Sequence, residues 1–450
     1  MPIQIDCFKA YDIRGRIPDQ LNPDIAYRIG NATAEFLGAK TIVIGRDMRL
    51  SSAEFADAVA KGVTEAGADV LDIGLCGTEL VYFANAKLKA DGGIMITASH
   101  NPADYNGLKL VREDAKPISA DTGLKDIRKL AEGDKRKQDA VAGVRMDVSV
   151  YDDYIQHLLE YADREALHPL KLVVNAGNGT AGQAIDGLEP YLPFEFVKIH
   201  HEPDGTFPNG IPNPLLPENR SSTADAVIAY EADMGIAWDG DFDRCFLFDE
   251  KGGFIEGYYI VGLLAESLLK HQPGGKIIHD PRLTWNTLDI VAQAGGEAVQ
   301  SKSGHSFMKE TMRRVDGLYG GEMSAHHYFR DFAYADSGMI PWLLVAELVS
   351  NSGKPLSELV GERIAKFPTS GEINRTVDDA MAILKKLHKR YANKAVHVDD
   401  TDGFSFEFDD WRFNIRMSNT EPVMRLNVET RGDRKLLDIK TSEILSIMES

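Results

Sequence analysis

Four polar loops in this 450-residue chain carry side chains able to do chemistry. The first is Thr97-Ala-Ser99-His100-Asn101-Pro102, followed by Asn106-Gly107-Leu-Lys109. A serine just past an apolar run, flanked by small and turn-forming residues, is exposed and backbone-constrained, which suits an attacking or phosphate-carrying hydroxyl. His100 and Lys109 can supply a proton acceptor and positive charge. The competing reading is a plain turn in which Ser99 and Asn101 bond backbone amides. A Ser-His-Asp hydrolase is disfavoured because the G-x-S-x-G elbow is missing.

The second loop, Asp239-Gly-Asp241-Phe-Asp243-Arg244, lies between apolar Met234–Trp238 and Cys245–Phe248. Alternating carboxylates repel one another unless a cation joins them, and so small a set of hard oxygens suits Mg²⁺. An EF-hand loop also places Asp at its first, third and fifth positions, and Glu250 falls at its last. Arg244, however, replaces the glycine such a loop needs, and strands rather than helices flank it. A solvated acidic turn is the third reading. In the third loop, Gly320 to Tyr328, Glu322 and Ser324 offer hydrogen bonds to sugar hydroxyls and His326 can move a proton. In the fourth, Arg416, Ser418, Asn419 and Thr420, with Arg425 beyond, make an anion-binding cup. Ser418-x-x-Glu421 also reads as a capping box, but the period-two pattern after Pro422 favours a strand. Two shorter segments, Lys9 to Gly15 with Tyr11 and Arg14, and Lys302 to His305, carry no function by themselves. Ser303 or Ser306 can be a simple helix cap there.

These loops must be positioned by elements. Thr41–Ile44, Val70–Leu75 and Ile94–Ile96 read as strands separated by helices, and Ser51 and Ser52 are placed to cap one in which Phe55, Val59 and Val63 share a face. Strand-helix alternation implies a mostly parallel sheet covered by helices. It restarts at Lys171–Val174, before a Gly-rich turn, and at Lys276–Ile278, before a helix from Trp285 to Ala294. The tail differs: Phe404, Phe406 and Phe408, then Trp411, Phe413 and Ile415, then Met424, Leu426 and Val428 alternate with polar residues. A helix from Asp433 to Met448 follows, giving a small α+β domain. The expected architecture is three α/β domains of related topology, with mixed, mostly parallel sheets and helices on both faces, plus a C-terminal α+β domain. The boundaries are 1–148, 149–252, 253–367 and 368–450.

Composition limits the partners. A net charge of −19 repels nucleic-acid backbones and anionic membranes. An anionic substrate would need locally concentrated Arg and Lys. Cys7, Cys76 and Cys245 form neither a disulfide framework nor a zinc motif. Without a leader-like start or a membrane-length apolar run, cytoplasm is the expected location.

Taken together the four loops resemble the α-D-phosphohexomutases, in order and across essentially the whole chain. T-A-S-H-N-P resembles that family's phosphoserine loop, D-G-D-x-D-R its metal loop, G-E-M-S-x-H its sugar loop and R-x-S-N-T its phosphate loop. K-A-Y-D-I-R-G near the start and G-R-D-x-R-x-S-S at Gly45 to Ser52 resemble it too. The resemblance implies four domains around a central cleft, Mg²⁺ held by Ser99, Asp239, Asp241 and Asp243, and a phosphoserine at Ser99. Ser99 would donate to a hexose monophosphate through a 1,6-bisphosphate, which also serves as activator, with Arg14, His100, Lys109 and His326 balancing charge and moving protons. Tyr11, Arg244, Lys302, His305, Glu322, Ser324, Arg416, Ser418, Asn419, Thr420 and Arg425 would hold the substrate. The E-M-S form resembles the mannose- and glucose-phosphate branches, and Gly321 to Gly338 the bacterial mannose-phosphate enzymes that feed GDP-mannose synthesis. Two residues depart from the commoner pattern, Ala325 in place of Gly and Glu421 in place of Thr. The rivals are glucose phosphate as sole or second substrate, a non-catalytic Ca²⁺-binding protein, and a metal-dependent phosphatase.

Overall fold

A computed structural model describes residues 3–417 and 423–449, and divides the chain into two compact units. One unit joins Met1–Phe254 to His326–Gly353; the other joins Ile255–Ala325 to Lys354–Ser450.

In the first unit, a six-stranded sheet runs in the spatial order Ile13–Arg16, Tyr105–Arg112, Gly92–Ile96, Thr41–Arg46, Asp69–Leu75, Arg145–Asp147. The inner strands are parallel, and Tyr105–Arg112 is antiparallel to both of its neighbours. The helix Pro23–Leu37 begins with Asn22 accepting from the Ile25 amide and ends at a left-handed Gly38. Phe55, Val59 and Val63 bury one face of the helix Ser52–Glu65, as their spacing requires. Ser51 stands at its N-cap position, but neither serine side chain closes the first turn; both instead accept from the Asn106 amide, at 2.8 and 3.0 Å. A second sheet pairs Lys171–Asn175 in parallel with Glu195–Ile199 and Met234–Trp238, and Met234–Trp238 antiparallel with Cys245–Phe248. The hairpin His327–Phe329 and Ala335–Asp336 and the buried helix Ile340–Ser352 complete this unit. All three cysteines lie in it, buried and unpaired.

In the second unit, Lys276–His279 pairs in parallel with Glu297–Gln300 and Tyr319–Gly321. The tail forms an antiparallel sheet in the order Thr369–Thr376, Val423–Thr430, Trp411–Met417, Phe404–Glu407, His397–Asp399. One face, including Phe406, Phe413, Ile415, Leu426 and Val428, packs with Leu387, Leu437 and Ile444 of the helices Ala380–Tyr391 and Arg434–Met448. Period-two alternation therefore became a sheet with one apolar face, while the alternate polar residues Arg412, Asn414, Asn427 and Glu429 are buried on the other. Asp433 caps the last helix by accepting from the Leu436 amide. At His305–Val315 the cap position belongs to Gly304, and the hydroxyls of Ser303 and Ser306 are buried without hydrogen bonds rather than capping.

Candidate active site

Parallel strands deliver their C-terminal ends to one edge, and both key loops of the first unit leave from such ends. Gly92–Ile96 runs into Ser99, whose backbone is left-handed at φ 49°. That conformation is costly for a residue with a Cβ and is held by its surroundings. The Ser99 amide donates to Thr97 Oγ1 at 2.8 Å. Its hydroxyl donates to Asp239 Oδ2 at 2.8 Å and lies 2.9 Å from His100 Nδ1.

Met234–Trp238 runs into the acidic loop, and the carboxylates of Asp239, Asp241 and Asp243 are buried with oxygens within 4.8 Å of one another. Positive groups surround them. Lys109 Nζ lies 2.6 Å from Asp241 and 2.5 Å from Asp243; burial works against its charge, but the two carboxylates prevail and raise its pKa. Arg244 donates to Asp239 Oδ2 at 2.8 Å and to His100 Nδ1. Burial alone would raise the Asp239 pKa, yet the Arg244 guanidinium holds it well below the usual range. Asp243 moves the other way, up to about 6, through burial and its neighbour Asp241. His100 is pushed down to about 4 by desolvation and by the charge of Arg244, so its imidazole is neutral near pH 7. One oxygen, Asp241 Oδ1, is buried with no hydrogen-bond partner. An orphaned carboxylate oxygen inside a triplet of hard donors fits a small divalent cation.

Other predicted residues join this cluster. Arg14, opposite Gly107 in the sheet, reaches Asn101 Oδ1 at 2.5 Å and Asp12 at 2.8 Å. His326 Nδ1 lies 3.2 Å from the buried Asp336, and Asp243, His326 and Asp336 form a second close group. Tyr11 sits half-buried in the turn before Ile13.

The second unit holds the remaining candidates. Glu322 accepts from the Gly304 amide at 2.8 Å, next to His305. Arg282 stands 3.4 Å from both Glu322 Oε1 and Ser324 Oγ, and is itself fixed by Asp280 at 2.8 Å. Arg416 and Arg425 face each other across paired strands and share Glu372, at 3.0 and 3.4 Å. Lys302 is exposed, its ammonium over the Phe307 ring. Ser418, Asn419, Thr420 and Glu421 lie outside the described residues.

Several participants escape sequence reading. Thr78 donates to Asp241 at 2.5 Å, and Arg282 and Glu372 order the second unit's polar groups. The only local signal for Thr78 and Arg282 was their placement after strands, in Cys76-Gly-Thr-Glu79 and Asp280-Pro-Arg282; Glu372, inside the strand Thr369–Thr376, had none.

A hydroxyl held against a carboxylate triplet, with lysine and arginine supplying counter-charge, suits phosphoryl transfer, where the protein mainly positions groups and neutralises charge. Comparison with known proteins makes the class specific. Models for phosphoglucomutase/phosphomannomutase alpha/beta/alpha domains I, II and III match residues 6–138, 152–253 and 256–367. The model for the C-terminal domain matches 372–445. This chain belongs to the phosphoglucomutase/phosphomannomutase family. It is 62% identical to a phosphomannomutase of Salmonella montevideo, with 99% of each chain covered. It is 60% identical, over 99% of each, to a protein of Xanthomonas campestris pv. campestris named phosphohexose mutases. A family member solved from Burkholderia thailandensis superposes with a TM-score of 0.88 at 33% identity, covering 98% of this chain and 97% of that one.

Proposed function

We propose that this chain interconverts mannose 6-phosphate and mannose 1-phosphate through a phosphorylated Ser99. The observation that carries the reading is the Ser99 hydroxyl, 2.8 Å from Asp239 within the carboxylate triplet. Mannose is favoured by the names of relatives about 60% identical over the full length. We assign the carrier and metal loops to domains 1–148 and 149–252, the sugar loop to 253–367 and the phosphate loop to 368–450.

Asp239, Asp241, Asp243 and a phosphate oxygen on Ser99 would hold Mg²⁺, which when bound offsets charge developing on the transferred group. Ser99 gives its phosphoryl group to the free hydroxyl of the hexose monophosphate: the serine P–O bond breaks and the sugar P–O bond forms. The resulting 1,6-bisphosphate turns over, and Ser99 takes back the other phosphoryl group. Lys109 and Arg14 supply positive charge beside Ser99. Neutral His100 and the Asp336-paired His326 are the proton carriers. Glu322 and Ser324 bind sugar hydroxyls in either orientation, while Arg416, Ser418, Asn419, Thr420 and Arg425 grip the non-reacting phosphate. Tyr11, Arg244, Lys302 and His305 complete the substrate contacts. The product would supply GDP-mannose synthesis in the cytoplasm. Among the described residues no helix is long and apolar enough to cross a membrane.

The test is phosphorus NMR of the protein with mannose 1-phosphate, Mg²⁺ and a trace of glucose 1,6-bisphosphate. Mannose 6-phosphate should appear, and Ser99→Ala should abolish it; net release of inorganic phosphate would instead mark a phosphatase. Glucose phosphate is the second reading, favoured by the relative named for phosphohexoses. Parallel rates on the two sugars rank them.

A further inference from the structure

The segment Gly45-Arg-Asp47-Met-Arg49-Leu-Ser51-Ser52 has no part in the chemistry above, yet its polar side chains converge on one loop. The Arg49 guanidinium is buried and donates to four backbone carbonyls of the carrier loop. One terminal nitrogen reaches Ser99 at 2.9 Å and Asn101 at 2.6 Å; the other reaches Pro102 at 2.7 Å and Tyr105 at 2.9 Å. Its Nε faces Asp47 at 3.4 Å, and Asp47 is fixed in turn by the Ser52 hydroxyl at 2.5 Å and the Arg49 amide at 3.0 Å. Asn106, at the far end of the loop, donates to Ser51 and Ser52. The Phe207 ring covers the guanidinium, 5.1 Å away. Gly240 packs against the same carbonyl: a Cβ there would meet the Ser99 carbonyl oxygen at 2.7 Å. The carrier loop is thus held by four donors of the Arg49 fork, with the backbone of the metal loop packed close to Ser99.

We propose that Arg49 is a positioning residue for phosphoryl transfer, a clamp that sets where the Ser99 oxygen points. The inference rests on the carrier role of Ser99. Left-handed backbone at a serine persists only where the surroundings over-determine it. Arg49 contributes most of that determination, because a planar fork can bind two carbonyl pairs at once. A lysine ammonium is a single point and cannot span both pairs. Once the loop relaxes, the oxygen drifts from the line of attack, and a displacement of about 1 Å can cost about 100-fold in rate. The sugar and phosphate contacts proposed for the second unit do not involve Arg49, so KM should hold.

The test compares Arg49→Lys with wild type and with Val63→Ala, a buried helix position outside the site that matches a general loss of stability. Steady-state kinetics on mannose 1-phosphate and hydrogen exchange of the peptide spanning residues 97–106 are read side by side. Arg49→Lys should lower kcat about 100-fold, leave KM within about threefold, and speed exchange in that peptide above the control. A kcat close to that of Val63→Ala, a KM that rises in step with the loss of kcat, or unchanged exchange overturns the clamp. Should Arg49→Lys fail to fold, Asp47→Asn frees the guanidinium more gently; it should show the same split at smaller amplitude, and normal kcat there overturns the proposal. Mass-spectrometric detection of phosphate on wild-type Ser99 after glucose 1,6-bisphosphate separates the two failures. Unlabelled Ser99 defeats the carrier reading and the positioning role of Arg49 with it, whereas labelled Ser99 with an indifferent Arg49→Lys defeats the clamp alone.

Discussion

Lys109 bridges Asp241 and Asp243 from within the carboxylate triplet, supplying part of the positive charge that the cluster requires. Removing one partner of a buried pair leaves the others uncompensated, at a cost of about 3–5 kcal/mol. Lys109→Gln should therefore lower the thermal midpoint of the metal-free protein, and Mg²⁺ should restore more of it than Mg²⁺ adds to wild type. Equal Mg²⁺ shifts in the two proteins would remove the triplet as the cation's seat. Glu79 is a second residue whose environment makes a measurable claim. Its buried carboxylate accepts from Tyr154 at 2.6 Å, Ser337 at 3.0 Å, and the amides of Gly338 and Met339 at 2.6 and 3.2 Å. Burial outweighs these donors and pushes its pKa up to about 8. The folded state then keeps a proton that the unfolded state has lost, so stability falls as pH rises from about 4.5 to about 8 and levels off above. Wild type should lose stability relative to Glu79→Gln across that window in urea denaturation. A difference that stays flat, or grows in favour of wild type, contradicts the assignment.

Among elements, the helix Thr78–Leu88 ties the acidic loop to the segment Ser337–Met339 through its first residues. Thr78 donates from both amide and hydroxyl to Asp241, and Glu79 ties down Ser337–Met339. Gly77 precedes them because a Cβ there would lie 2.1 Å from the Phe242 ring, in the middle of the acidic loop. Gly77→Ala should cost about 1–3 kcal/mol by overpacking and lower kcat by moving Asp241; a variant with wild-type stability and rate would show the contact to be slack. These contacts also mark what the sequence could and could not reveal. Ser99, Asp239, Asp241 and Asp243 were legible because chemistry needs them close together in each loop. Period-two and helical patterns revealed the tail sheet and the helix Ser52–Glu65. Glu79 was not legible, since it is a lone polar residue whose partners lie up to 260 positions away, at Met339; Arg49 stood within the G-R-D-x-R-x-S-S run, but its carbonyl partners lie 50 to 56 positions on and left no trace there. Ser51 holds the cap position foreseen for it, but the hydroxyls of Ser51 and Ser52 turn elsewhere, because local rules see the nearest amides and not Asn106, 54 residues on from Ser52.

At the scale of the molecule, four consecutive domains were expected from the restarting strand-helix pattern, and four family domain models match in that order. The compact units cut across the order, because His326–Gly353 packs with the chain's first 254 residues. That segment brings Tyr328, Phe329 and Trp342 into the core, and its Gly338 carbonyl accepts from Trp238 at 2.8 Å. Loss of even one such aromatic costs about 3–5 kcal/mol. A fragment ending at Phe254 should therefore unfold at a much lower temperature than the whole chain, and a peptide of residues 326–353 added in excess should raise its midpoint. A fragment already as stable alone would show the segment to be ornamental to that core.

The cysteines of this unit have a practical corollary. Burial pushes the thiols of Cys7 and Cys76 up to about 12 and also raises that of Cys245, so almost none is thiolate near neutral pH. Thiol-selective alkylating reagents attack thiolates, and the other unit has no sulfhydryl at all. Alkylation of this protein is therefore a clock for the opening of one half of it, blind to whatever the other half does.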